Sequence, residues 1–296
     1  MPKKLIIIFA KFVFSIIVVN QKTFMQYKAD LHTHTSFSDG GFTPTELIDL
    51  ALQNNLSTIS ITDHDTVAGL NIALDYAKNK DIEVIPGIEL SLDFDGIEVH
   101  ILGYFIDDTN VKLLEYIEIF NNSRLDTAKK IIKRLNNLGM DITLPQVKEF
   151  SKNAPICRPH IAKTLLNYGH INNINQAYTK YIGDYSPAIV KKEHFPPEEV
   201  INIIKTAGGK SFIAHPGRMK EDIVLKLVKL GIDGIETIHP SHTATRTDYY
   251  KGIVNEYYML ESGGSDFHGG LRKDDNNFGK YFVEQSTVEN IRKGLF

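Results

Sequence analysis

The chain has 296 residues, 42% of them apolar and 23% charged, with a formal net charge of −3. That length suits one large α/β barrel or two smaller domains, and the near-neutral balance without a basic block gives no footing for tight duplex DNA binding. The single cysteine, Cys157, excludes an intramolecular disulfide and a thiolate metal site; with no local activating motif it reads as a small buried apolar residue.

At the N-terminus, Lys3 and Lys4 precede Leu5 to Val19, which is apolar apart from Lys11 and Ser15. This resembles the n- and h-regions of a secretory signal. It is short for a membrane span, carries a charge inside it, and is followed by no small-x-small cleavage site. A mis-called start accounts for it equally well, since Met25 lies just before the first strand. Residues 1–24 are therefore left out of the fold. The expected compartment is the cytoplasm, with export or tethering as the alternative if residues 5–19 act as a signal, and no stable membrane partner is expected.

Lys28 to Leu31 reads as a strand. Thr43-Pro44-Thr45-Glu46 then opens a helix with a capping box and proline at the first helical position. Ser57 to Thr62 is a strand, Val67 to Asn79 a helix, Ile82 to Ile85 a strand closed by a turn at Pro86-Gly87, and Ile97 to Phe105 a further strand. This alternation signals a parallel sheet with crossover helices. The rhythm breaks after Asp107. Asn110 to Gly139 reads as one long helix or two, followed by helical pieces near Leu144 to Phe150, His160 to Asn167 and Ile174 to Tyr181. Strands return at Ser211 to Ala214, Gly234 to Ile238 and Tyr258 to Ser262, with helices at Pro196 to Thr206, Asp222 to Leu230 and Thr243 to Tyr257. The barrel is thus expected over 25–106 and 196–296, and a helical insertion over 107–195.

Six of the eleven histidines fall into short runs with carboxylates near strand ends. These are Asp30-Leu31-His32-Thr33-His34 with Ser38-Asp39-Gly40, Thr62-Asp63-His64-Asp65, Pro86-Gly87-Ile88-Glu89, Glu98-Val99-His100, Ala214-His215-Pro216 and Ser265-Asp266-Phe267-His268. His32 and His34 stand at i and i+2, so in a strand both imidazoles point the same way. Asp266 and His268 repeat the device. Asp63 or Asp65 could orient the His64 ring, or Asp65 could cap the next helix. A buried carboxylate at Glu89 needs a partner, and a cation is the natural one. Imidazole with carboxylate suits Zn, Mn or Fe, and ligands gathered from many strand ends build an active site in a barrel.

Together these runs closely resemble the PHP (polymerase and histidinol phosphatase) superfamily, from about Tyr27 to the C-terminus. Arg158-Pro159-His160 and the stretch from Gly208-Gly209-Lys210 through Ala214-His215-Pro216-Gly217-Arg218 resemble one branch, that of nucleoside 3′,5′-bisphosphate phosphatases and 5′-to-3′ exoribonucleases. The resemblance implies a distorted, TIM-like (β/α)7 barrel, the PHP fold, holding three divalent metal ions, Mn²⁺ first with Zn²⁺ or Fe²⁺ as substitutes. It implies His32, His34, Glu89 and Asp266 on the first ion, Asp39, His64 and His268 on the second, and Glu89, His100 and His215 on the third. Glu89 would then bridge two ions, and Asp39, His64 and Glu89 would be the catalytic set. Clustered divalent ions lower the pKa of a shared water and bind phosphate oxygens, so no protein nucleophile is required.

The resemblance also implies substrate contacts from Arg158, His160 and Arg124, under the helical insertion as a cap. Relatives tend to carry a second arginine three residues beyond Arg124, where this chain has Thr127. The implied substrate is a small phosphorylated nucleotide or short single-stranded RNA. It would lose its 3′-phosphate or be trimmed from its 5′ end. A histidinol-phosphate phosphatase and a non-catalytic metal-binding PHP module are the alternatives. The sequence leaves oligomeric state open.

Overall fold

The computed structural model describes residues 27–296 except 95–96, 153, 184–185 and 191–194. The hydrophobic segment at 1–24 lies outside the described residues. Strand β1 (Lys28–Thr33) pairs in parallel with β2 (Leu56–Ile61), with helix α1 (Pro44–Gln53) between them. Thr43 caps α1 by accepting from Glu46 N, while Glu46 Oε2 lies 2.8 Å from Thr43 N, completing the expected capping box. A second crossover through α2 (Leu70–Ala77) leads to β3 (Glu83–Phe94), parallel to β2.

β3 corrects the reading of Pro86-Gly87 as a turn. Both residues lie inside this twelve-residue strand, with Pro86 in register with Ile61. A Cβ on Gly87 would come 2.4 Å from Ser60 Oγ, so glycine serves close strand approach rather than chain reversal. β3 then folds straight back into β4 (Ile97–Tyr104). β4 is antiparallel to β3 and also to β5 (Lys210–Ile213). The all-parallel expectation fails at β4 for a simple reason. Only two residues separate Phe94 from Ile97, whereas a parallel neighbour needs a crossover of about a dozen residues.

The parallel pattern resumes through α7 (Pro197–Thr206), β5, α8 (Glu221–Lys229), β6 (Gly234–Ile238), α9 (Ala244–Glu256) and β7 (Leu260–Gly263). The sheet order is β7-β6-β5-β4-β3-β2-β1-β8, where β8 (Val283–Glu284) pairs antiparallel with the start of β1. The ring nearly closes beyond β7: Thr33 bridges Phe267, and His34 N donates to Phe267 O at 3.0 Å. Gly264 permits that closure, since a Cβ there would stand 2.4 Å from His32 N. The last helix, α10 (Gln285–Lys293), buries Val288 and Ile291 in the cluster of Leu31, Leu102, Phe212 and Leu260. Neither β8 nor α10 is foreseen from the sequence pattern.

Between β4 and β5 lie α3 (Val111–Asn137), α4 (Leu144–Ser151), α5 (Arg158–Asn167) and the short α6 (Ile174–Ala177), which runs into a π turn at Tyr178–Ile182. α3 is one helix, not two. Its first half packs Leu113, Tyr116, Ile117 and Phe120 on the barrel's outer core. Its second half joins Ala128, Ile131 and Leu135 to Val147, Ile161 and Leu165 in a separate apolar cluster. Among the described residues, no helix is long and apolar enough to cross a membrane.

Candidate metal centre

The ligand-type residues converge at one mouth of the barrel, and Glu89 is their hub. Its carboxylate is fully buried, and each oxygen faces a different group of imidazoles. Oε2 lies 3.3 Å from His32 Nε2, 3.2 Å from His34 Nε2 and 3.1 Å from His64 Nδ1. Oε1 lies 2.8 Å from His100 Nδ1 and 3.0 Å from His215 Nε2, and those two nitrogens are 3.2 Å apart. Glu89 and His100 stand within the antiparallel β3–β4 pair rather than at strand ends. The backbone fixes Glu89, since Asp65 N donates to Glu89 O and Glu89 N to Asp63 O.

Three neighbourhoods gather around this hub. His32, His34, Glu89 and Asp266 bring one ligand atom each within 4.8 Å of one another. So do His34, Asp39, His64 and His268, and Asp39 Oδ1 is 3.3 Å from His268 Nε2. Glu89, His100 and His215 form the third by the distances above. All nine expected ligand residues are thus at the mouth, with His34 facing two groups. His32 Nε2, His64 Nδ1, His268 Nε2, Glu89 Oε2 and Asp39 Oδ1 are buried and lack a hydrogen-bond partner among the described residues. Buried polar atoms left this way are costly unless something else satisfies them. Hard carboxylate and borderline imidazole donors fit divalent transition ions. The donor set therefore fits the group the family implies.

The electrostatics are those of tightly opposed charges. Burial pushes the His32 imidazole down, but Glu236, Glu89 and Asp266 outweigh it and hold the ring well above the usual histidine range. His34 and His100 are likewise carried up to about 9, against burial, by Asp266 and Glu89 and by Glu89 and Glu98 respectively. Burial would raise the Glu89 carboxyl, yet the surrounding histidines hold it well below the carboxylate range. Burial and neighbouring cations keep His64 and His268 low. Asp65, His215 and Asp266 take positive φ angles of 52°, 33° and 50°. Such backbone costs of order 1–3 kcal/mol per residue and gathers where geometry matters more than stability.

Glu236, on β6, is a site residue that sequence reasoning missed. It is fully buried. Its Oε1 lies 2.9 Å from His32 Nδ1, which turns His32 Nε2 toward the mouth, and its Oε2 accepts from His215 N at 2.6 Å, holding the left-handed turn there. The signal for it was a lone charge within the short apolar strand Gly234–Ile238. His239 joins His32 and Glu236, with Nε2 3.5 Å from Asp266 Oδ2. Among the described residues, neither carboxylate beside His64 bonds its ring or caps a helix. Asp63 accepts from Thr35 N, Thr35 Oγ1 and Ser38 Oγ at 2.7, 2.5 and 2.5 Å, which shapes the loop that presents Asp39. Asp65 accepts from Ser91 N at 2.8 Å and from Arg124.

The three residues expected on substrate each meet a protein partner. Arg124 is buried against Asp65, 2.9 Å from Ser91 Oγ and 3.0 Å from Cys157 Sγ. It ties α3 to β3 rather than standing in solvent. Arg158 Nη2 lies 2.8 Å from Glu98 Oε2. His160 Nδ1 accepts from Cys157 N at 3.0 Å, capping α5. Arg124 and Arg158 still line a cavity of about 1070 Å³ that opens over the mouth and reaches Asp39, His64 and Asp266. Thr127 lines it too, and the Arg218 side chain lies outside the described residues. Removing one partner of a buried ion pair costs about 3–5 kcal/mol. Arg124→Met is therefore expected to lose that much in denaturant unfolding, with part regained in the double variant Arg124→Met/Asp65→Asn. A loss below about 1 kcal/mol would match an exposed pair instead.

A profile of the PHP domain family matches residues 30–209. The chain belongs to the PHP family. It is 31% identical to a 5′-3′ exoribonuclease of Haemophilus influenzae over 250 residues, covering 82% of this chain and 91% of that one. It is 30% identical to a 3′,5′-nucleoside bisphosphate phosphatase of Chromobacterium violaceum, covering 81% of this chain and 86% of the other. A solved structure from Bifidobacterium adolescentis, classed as a metal-dependent phosphoesterase, superposes with a TM-score of 0.82 at 28% identity, over 90% of this chain and 96% of that one. This PHP chain is a phosphoesterase: fold, hub and relatives agree on phosphoric ester hydrolysis, and a non-catalytic module has no support from them.

Proposed function

We propose that this PHP enzyme hydrolyses phosphate esters of nucleotides at three divalent metal ions, with Mn²⁺ as the working metal. The substrate is a nucleoside 3′,5′-bisphosphate or a short 5′-phosphorylated single-stranded RNA. The observation that carries the reading is Glu89, a fully buried carboxylate with five imidazoles on its two oxygens. Protein partners alone rarely gather so many unsatisfied donors in one place.

His32, His34, Glu89 and Asp266 would hold one ion, Asp39, His64 and His268 the second, and Glu89, His100 and His215 the third. Divalent ions bound there supply a water of lowered pKa and stabilise the charge that builds on the phosphoryl oxygens. Hydrolysis adds water across the P–O bond: from the bisphosphate, inorganic phosphate leaves and the 3′ oxygen takes the proton, and from RNA the terminal nucleotide leaves with a 3′-hydroxyl while the phosphate stays on the shortened chain. The protein's part is preorganisation. Glu236 fixes His32 and the turn at His215, Asp63 fixes the loop of Asp39, and Arg272 Nη2 contacts Asp39 Oδ2. Residues 107–195 serve as a cap over the barrel of 25–106 and 196–296, with Arg158 on the substrate side. Arg124 and His160 act there by fixing the cap. The cytoplasm suits the lone thiol of Cys157.

The test is direct. Purified protein with Mn²⁺ is expected to release phosphate from adenosine 3′,5′-bisphosphate or mononucleotides from 5′-phosphorylated RNA, and to leave histidinol phosphate largely intact. Inactivity on both nucleotide substrates would overturn the proposal.

A further inference from the structure

The loop from β6 to α9 places at the mouth a histidine that the roles above leave unassigned. His239 lines the cavity, and its side chain is 8% exposed. Its ring packs among those of His32, His215 and His242, with centroids 6.1, 5.4 and 5.5 Å away. The loop beneath it is fixed by His242. His242 N donates to His239 O at 3.0 Å, its Nδ1 donates to Thr237 O at 2.9 Å, and its Nε2 accepts from Gly217 N at 3.0 Å. That last bond ties the loop to the turn that follows His215.

The bonds around His239 decide which of its nitrogens carries the hydrogen. Nδ1 faces Ser241 N at 3.0 Å and Ser241 Oγ at 2.8 Å. A backbone N–H can only donate, so Nδ1 is the acceptor and the hydrogen sits on Nε2. This tautomer argues against His239 as a metal ligand in a cluster with His32 and Glu236, although one ligand atom of each lies within 4.8 Å of the others. A metal would need the Nε2 lone pair, which the hydrogen occupies. Nε2 is therefore a donor. It is buried and lacks a hydrogen-bond partner among the described residues. Of the carboxylates beside it, Glu236 already engages His32 Nδ1 and His215 N with its two oxygens. Asp266 remains, with Oδ2 3.5 Å from His239 Nε2.

The two oxygens of Asp266 face different ways. Oδ1 lies 3.1 Å from His34 Nε2 and 3.4 Å from His32 Nε2, on the side of the first expected ion, while Oδ2 faces His239. We propose that His239 is a positioning residue: its Nε2–H holds Asp266 Oδ2, so that Asp266 offers the ion one oxygen and leaves a coordination position open for water or phosphate. The inference rests on the metal-dependent reading above. Ligating carboxylates are in turn hydrogen-bonded, and catalytic metal sites keep an open position.

The test measures manganese binding to the full chain by equilibrium titration, with nucleotide kinetics alongside, for wild type, His239→Asn, His239→Phe and His239→Gln. His239→Asn keeps an acceptor for Ser241 N but is too short to reach Asp266. His239→Phe keeps only the ring, and His239→Gln reaches Asp266 with an amide donor. Losing such a partner costs about 10–100-fold in metal affinity. That loss is expected at one ion in His239→Asn and His239→Phe, with most of it regained in His239→Gln and the number of bound ions unchanged. Either of the first two variants carries the result should the other fail to fold. Unchanged manganese affinity in them would overturn the proposal. So would equal losses in His239→Asn and His239→Gln, which would reduce the ring to packing. One ion fewer would make the ring a ligand, and a raised nucleotide KM with unaltered manganese binding would make it a substrate contact; both overturn the positioning role. Wild-type protein that binds no manganese would sink the metal-dependent reading itself, whereas wild-type binding with unaffected variants would sink the positioning role alone.

Discussion

Glu89→Gln is expected to lower kcat by about a thousandfold or more while leaving the fold intact. The amide keeps the shape of the side chain but removes its charge and turns one acceptor into a donor. Both oxygens are engaged, one facing His32, His34 and His64 and the other facing His100 and His215. One substitution therefore strikes two of the three neighbourhoods at once. Metal ions contribute several kcal/mol to transition-state stabilisation, and each 1.36 kcal/mol is tenfold in rate. The check pairs steady-state kinetics with a count of bound manganese, and circular dichroism guards against unfolding. Near-wild-type turnover would contradict the bridging role.

Glu236→Gln is the second large effect, and it works at one remove. The carboxylate contacts no expected substrate atom. It orients His32 through Nδ1 and accepts from the backbone of His215 where φ is 33°. Carboxylates behind metal-ligating histidines fix the tautomer and ring orientation, and losing one costs about 10–100-fold in metal affinity or activity. The variant should need about that much more Mn²⁺ for half-maximal activity, with kcat at saturating metal largely restored. Equilibrium metal titration gives an independent readout. An unchanged metal dependence would reduce Glu236 to a packing role.

Much of this centre was legible because its residues are written as short local runs. His32 with His34, and Asp266 with His268, advertise a shared side by their i, i+2 spacing. Glu89 and His100 were found by residue type, although the strand-end argument for them was wrong, since both lie within the β3–β4 hairpin. The direction of β4 was decided by the short gap between Phe94 and Ile97, which the alternating rhythm obscured. Glu236 escaped because a lone carboxylate in a strand carries no spacing signal; its partners are distant in sequence. Arg272 escaped for the same reason, since only the turn at Gly269–Gly270 brings it back to Asp39. The partners of Arg124 and His160 likewise depend on tertiary contacts that helix periodicity does not encode.

The claim beneath all of this is that several cations sit around one buried carboxylate. Anomalous diffraction at the manganese edge, from crystals grown with Mn²⁺, tests it most directly. The expected result is three peaks at the mouth, two of them within coordination distance of Glu89. A map with no peak touching Glu89, or a single ion held by surface carboxylates elsewhere, would contradict it.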